Sequence, residues 1–199
     1  MDETKRIAGD YEIVKSVHVG EKEIVFGEDD KNANGKKYMV AYCEQNELFA
    51  NYTEVLSDDN YAEIMKHFGL RITEQAEQVM EQMKQLDVPL EVIMIEQCHP
   101  NDYKESIDGK VIAIDARVLR PEYQRADSQL HFVTGGFGAN ANSRGSAVFC
   151  VNIHTGKHTR WERRDVLGVV KDDALPVWAK EKLKTLSTER AKDTKDKER

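Results

Sequence analysis

The chain is poor in cysteine, in proline and in long apolar runs, and each shortage narrows what it can be. Only Cys43, Cys98 and Cys150 occur, an odd number, far apart and in no CxxC pair. That points to neither a disulfide framework nor a zinc site. Each cysteine is expected to be a small buried residue in or beside a strand. No stretch approaches the roughly 18 to 20 apolar residues that a membrane-spanning helix needs. The opening MDETKRIAGDYE lacks the apolar core of a secretory signal, so a cytoplasmic location is expected. Asn51-Tyr52-Thr53 then matches a glycosylation sequon without consequence. The P-loop lysine, the HExxH pattern and the Ser-His-Asp signature are missing too.

What the 199 residues do carry is charge: 33% are charged against 40% hydrophobic, the balance of a soluble globular protein with a wet surface. The length suits one sizeable domain or two small ones. The formal net charge of −7 hides a division. Residues 1–109 hold 24 Asp or Glu against 11 Lys or Arg, giving −13, and residues 110–199 hold 12 against 18, giving +6. Such asymmetry suggests halves that face different partners. The plainer reading is that acidic and basic faces of one protein separate along the chain.

Residues 11 to 26, YEIVKSVHVGEKEIVF, alternate apolar and polar on both sides of Val19-Gly20-Glu21, which signals a hairpin. GEDDKNANGKK is turn-rich, and KYMVAYCE reads as a third strand. The period then changes: Ile72, Ala76, Val79, Met83 and Leu86 mark one face of a helix. Ser57 or Asp58 is expected to cap it, and Gly69 to split it, since glycine costs about 1 kcal/mol inside a helix. LEVIMIEQC resumes as a strand after Pro89. The polar connector from Pro100 to Lys110 is the expected boundary between an acidic α+β region, 1–109, and a basic β-rich region, 110–186. In the latter VIAIDARVL, QLHFVTGG, SAVFCVNI and HTRWERRDVLGVV read as four strands. A closing helix capped by Asp173 follows, then a disordered tail, 187–199. The fold class is α+β: antiparallel strands packed on one long helix, then an antiparallel sheet or partly open barrel with a terminal helix.

The most conspicuous local feature is VTGGFGANANSRGSAVFC, residues 133–150. Gly136-Phe137-Gly138-Ala139-Asn140-Ala141 matches GxGxxA, a form of the dinucleotide fingerprint. That chemistry needs a helix N-terminus directly after the glycines, whereas SAVFCVNI is strand-like. The stretch is therefore expected to be a long hairpin loop whose glycines and asparagines supply positive φ. It carries Asn140, Asn142 and Arg144. HTGKHTRWERR follows, with Lys157, Arg160, Arg163 and Arg164 around Trp161. Basic residues interleaved with an aromatic suit nucleic acid or an acidic partner. The competing reading puts Trp161 in the core and the charges on a solvated strand face. Strand alternation sets Arg160, Glu162 and Arg164 on one side, Trp161 and Arg163 on the other.

Two further constellations are weighed. His154 and His158 could form an acid–base pair acting on RNA, though neither shows an obvious carboxylate to orient it. Glu74, Glu77 and Glu81 line one helix face, and such a ridge could dock a basic protein channel. The plainer alternative is the wet side of an amphipathic helix.

DYEIVKSVHVGEKEIVFGEDDKN, SIDGKVIAIDARVLRPEYQRAD, the glycine-rich stretch and RWERRDVLGVVKDDALPVWAKEKL together resemble a region shared by mobile-element proteins. These occur in conjugative elements and phages of gut clostridia, alone or within very large polyvalent proteins. The resemblance covers roughly residues 10 to 183, and GGFGANANSRG with RWERRDVLGV is its most distinctive part. It implies a counter-defence role, since such proteins accompany antirestriction genes and short stand-alone forms are similar to Cas9-directed anti-CRISPR proteins. It carries over no catalytic residues.

The expectation is a non-enzymatic inhibitor that binds Cas9 with its guide RNA, needs no cofactor or metal, and prevents DNA cleavage. An RNA-cleaving enzyme that destroys the guide, and an interaction module of conjugation machinery, are the alternatives.

Overall fold

The computed structural model describes residues 5–31, 36–45 and 49–186. The chain divides into two compact units, Met1–Leu86 and Asp87–Arg199. The connector expected to separate the regions lies within the second unit, because Cys98–Pro100 pairs antiparallel with Val166–Val170. The charge division changes with it. The first unit carries 18 acidic against 10 basic residues, or −8, and the second 18 against 19, or +1. The acidic half persists, and the basic half becomes a neutral unit.

The first unit is an antiparallel meander of β1 (Ile7–Ala8), β2 (Tyr11–Val19), β3 (Lys22–Glu28), β4 (Tyr38–Gln45) and β5 (Ala50–Asp58), each strand pairing with its neighbour in sequence. Strand β3 is buried on both faces. Ile24 and Phe26 point into a core with Val40, Tyr42, Ile64 and Phe68. Val25 joins Ala8, Met39, Ala41 and Cys43, with Tyr11, Ile13 and Tyr52 packed alongside. Residues from β1, β3, β4 and β5 meet on this second face, so the sheet curls and nearly closes. Arg6 reaches the buried Glu23 there through two hydrogen bonds of 2.6 Å.

Helix α1 (Tyr61–Lys84) follows, and Asn60 caps it: Asn60 Oδ1 accepts from Ala62 N at 3.1 Å and Glu63 N at 3.3 Å. Ser57 and Asp58, the expected caps, instead end β5, a strand the pattern did not reveal. The helix runs unbroken through Gly69. Its deepest apolar residues, Ile64 and Phe68, precede the periodic stripe at Ile72, Ala76, Val79 and Met83, which is half-buried.

The second unit is a six-stranded antiparallel sheet ordered β10–β9–β8–β7–β11–β6, with β6 (Cys98–Pro100), β7 (Val111–Ile114), β8 (Leu130–Gly135), β9 (Ala147–Asn152), β10 (His158–Glu162) and β11 (Val166–Val170). It is an open sheet with β10 and β6 as edges, not a barrel. HTRWERRDVLGVV is two strands, because a single 3-10 turn at Arg163–Asp165 carries β11 away from β10 to pair with β7 and β6. Asp165 Oδ2 accepts from Glu162 N at 3.2 Å and closes that turn.

LEVIMIEQC is not a strand apart from its last residue. The side-chain amide of Gln129, in the short helix α2 (Ala126–Gln129), accepts from Ile93 N at 2.8 Å and donates to Ile93 O at 3.2 Å. Those backbone groups are thus taken from any ladder. The closing helix α3 covers residues 177–186, after Pro176, so Asp173 is not at its cap. Its Trp178, Ala179 and Leu183 pack on one sheet face with Ala113, Leu130 and Ile153. The opposite face, Ile112, Ile114, Val133, Val148, Cys150 and Val166, is covered by Ile107 and Ala139. The expected tail, 187–199, lies outside the described residues. No helix among those described is long and apolar enough to cross a membrane.

Candidate functional site

The glycine-rich stretch is a folded cover on the second sheet. A 3-10 turn at Phe137–Ala139 follows β8, and β9 follows the loop. Gly136 holds φ +104°, and a Cβ there would stand 2.4 Å from Ala147 O. At Gly138 a Cβ would stand 2.2 Å from Ser146 O. The glycines therefore let the loop lie flat against its own return strand, and no helix N-terminus follows them to cradle a phosphate.

Arg163 fastens this cover from beneath. Its side chain is only 2% exposed. Nε donates to Asn101 Oδ1 at 2.7 Å, Nη1 to Gly138 O at 3.0 Å and Nη2 to Glu105 O at 3.2 Å. The guanidinium also lies over the Tyr103 ring, 5.1 Å from its centroid. Burial pulls the Arg163 pKa below the ordinary arginine value. Arg163 thus drops out of the expected partner-binding set: it lies in the turn after β10 rather than in the strand, is buried inside the unit, and joins loop, connector and turn.

The other expected contacts are at the surface. Asn140, Asn142 and Arg144 are exposed on the loop. Asn142 has φ +50°, and its backbone N–H donates to Tyr103 O at 2.8 Å. Lys157 is exposed in the β9–β10 turn, and Arg160 is exposed on β10, paired with Glu162 at 2.7 Å. The Arg164 side chain is 83% exposed, 3.9 Å from Asp165. Trp161 is half-buried and packs on the inner face, its Nε1 donating to His131 Nε2 at 3.3 Å. It is not a free stacking platform. The exposed aromatics of this unit include Phe137, 78% exposed between two glycines, and Phe149, 50% exposed and directly across from Arg160 on β10. Sequence reasoning passed over both, although an aromatic between two glycines is itself a signal.

His154 and His158 are not equivalent. His154 Nε2 meets Asp87 Oδ1 at 3.1 Å, and its ring packs edge-on against Trp178. That hydrogen bond lowers the Asp87 pKa, with the Lys182 charge adding to it. So His154 does have a carboxylate partner, contrary to expectation. His158 is exposed at the start of β10.

In the first unit Glu74, Glu77 and Glu81 are all exposed on α1. Glu81 lies 3.5 Å from Lys84 and accepts from Gln85 at 3.2 Å. Among the described residues no group of three or more His, Cys, Asp or Glu is placed to hold a metal ion. The three cysteines are buried and free, and burial pushes the Cys98 thiol up to about 11 and the Cys150 thiol to about 12. Such thiols are poor nucleophiles. No protein-family model, curated protein or solved structure matches the chain.

Proposed function

We propose that the chain is a non-enzymatic counter-defence protein of a mobile element, which binds Cas9 with its guide RNA and prevents DNA cleavage. The observation that carries this reading is the first unit: net −8, with Glu74, Glu77 and Glu81 exposed along α1. A surface of that kind complements the positively charged channel in which a CRISPR nuclease holds its heteroduplex. The second unit adds exposed Phe137 and Phe149, the latter across from Arg160, together with exposed Arg144 and Arg164, suited to nucleic acid or to an acidic protein surface. The resemblance of residues 10 to 183 to mobile-element proteins supports the same reading.

The test is plasmid cleavage by Cas9 with and without the protein, with the guide run on a denaturing gel from the same tubes. Blocked cleavage with intact guide is the expected result. A shortened guide would transfer the function to RNA cleavage, a reading favoured by one contact, His154 with Asp87. Normal cleavage with several Cas9 orthologues would leave an interaction module of conjugation machinery.

A further inference from the structure

Buried charges in proteins are normally paired with a charge of opposite sign. Arg163 is not. Its hydrogen-bond acceptors are Asn101 Oδ1 and the backbone oxygens of Gly138, Ala139 and Glu105, all neutral. No carboxylate among the described residues lies within salt-bridge distance of it. The Asp102 carboxylate is nearby and turns to Lys104 N at 3.0 Å, and Glu105 Oε2 faces Lys110 Nζ at 3.4 Å. The guanidinium therefore has no salt-bridge partner, and the Asp102 carboxylate acts on its charge only through space.

That charge lies at the wall of a cleft. A hollow of about 220 Å³ is lined by Arg163, Lys110, Asn101 and His99 together with the carboxylates Asp102 and Glu105, which accept from Lys104 N and Lys110 Nζ. A second hollow of about 400 Å³ is lined by Val111, Val169, Val170, Leu175 and Asp172, with His99 and Lys110 again on its wall. The two share His99, Lys110 and Val169 and so adjoin. The first carries side chains of both charges, and the second adds the apolar Val111, Val170 and Leu175. Together they fall within the range of about 300 to 1,000 Å³ typical of small-molecule sites, which combine an apolar lining with a few placed polar groups.

We infer that this cleft binds a small organic oxyanion, its phosphate or carboxylate head between Arg163 and Lys110 and its apolar body against Val111, Val170 and Leu175. The head supplies the directly bonded anionic partner that Arg163 lacks, and a charge-assisted hydrogen bond is about twice as strong as a neutral one. Because Arg163 also ties the 136–146 loop to the connector, occupancy stiffens the loop that presents Phe137 and Arg144. This site is separate from the surfaces assigned to Cas9 binding and stands whether or not that assignment does.

The probes are phenyl phosphate, benzoate, inorganic phosphate and the neutral benzyl alcohol, titrated by calorimetry and by backbone and side-chain NMR shifts on the full chain. Saturable binding of phenyl phosphate or benzoate is expected, with shifts at Asn101, Lys110 and Arg163. The better of the two identifies the head group. Inorganic phosphate and benzyl alcohol should each bind at least about tenfold more weakly, and K110E should weaken the best probe by about tenfold. Absence of saturable binding by both aromatic anions overturns the inference. So does equal binding of benzyl alcohol, undiminished binding by folded K110E, or a shift pattern that maps elsewhere. The NMR map on unaltered protein decides the matter even if K110E fails to fold.

Discussion

Trp161 Nε1 donates to His131 Nε2 at 3.3 Å, and that single contact fixes the imidazole in one state. With Nε2 accepting, the proton sits on Nδ1, which donates to Gln129 O at 3.1 Å. His131 is 2% exposed, and burial pushes its pKa down to about 4, against a backbone hydrogen bond that raises it. The unfolded chain therefore binds a proton near pH 6.5 that the folded chain refuses until about pH 4. The resulting stability is fully present above pH 6.5 and is lost as the pH falls toward 4, by at most about 3 kcal/mol. Urea melts of the full chain from pH 7.5 to pH 4.5 should show the midpoint of the second unit's transition falling with pH. In H131Q that slope should flatten.

Arg163 predicts a second outcome. Replacing it with Met leaves Gly138 O, Glu105 O and Asn101 Oδ1 buried without a donor, and hydrogen bonds to charged groups contribute about 1.5 to 3 kcal/mol each. The loss in R163M should be about 3 kcal/mol or more. R163K should recover little of it, because an ammonium cannot reproduce the guanidinium fork. Chemical denaturation checks both. A melt of R163M within about 0.5 kcal/mol of the parent, the range of ordinary surface changes, would remove the fastening role.

What the sequence conveyed and what it withheld divide along physical lines. The β2–β3 hairpin, the α1 period and the strands flanking the glycine-rich loop depend on neighbours within a few residues, and they were legible. The α+β class and the failure of GxGxxA as a phosphate cradle were legible too, since SAVFCVNI reads as a strand. The turn at Arg163–Asp165 was not, because β11 leaves β10 for partners about 50 to 70 residues away in sequence. Nor was the fate of LEVIMIEQC, where one side chain, Gln129, removes the backbone groups a strand would use. Of the candidate site, surface positions such as Arg144 and Arg164 follow from charge alone. The buried role of Arg163 does not, because Asn101, Glu105 and Gly138 converge on it only in three dimensions.

The loop tests packing at close range. In G138A the new Cβ would stand 2.2 Å from Ser146 O, a backbone atom that cannot swing aside. Over-packing of this kind costs about 1 to 3 kcal/mol. G138A should therefore lower the thermal midpoint of the second unit, read by differential scanning calorimetry. G109A is a useful comparison, because its Cβ meets nothing within 4 Å although φ is +70°. Its cost is backbone strain alone, and it should be the milder change.

The counter-defence reading makes the last prediction, and Arg163 shapes how it must be tested. A charge-reversal set that includes Arg163 would confound lost binding with lost folding. The set for the second unit is therefore R144E, K157E, R160E and R164E, all at exposed positions. The set for the first is E74K, E77K and E81K on α1. Each set should keep its far-UV circular dichroism, since surface substitutions usually move stability by no more than about 0.5 kcal/mol each. Reversing α1 replaces attraction to a basic channel by repulsion, so it should slow association and remove inhibition of plasmid cleavage at matched concentration. Raising the salt should weaken the parent's inhibition in the same direction, because exposed charges are screened beyond about 10 Å at 0.1 M. If the folded double set inhibits as the parent does, neither charged surface is the one that meets the nuclease. The exposed Phe137 and Phe149 would then be the residues to substitute next.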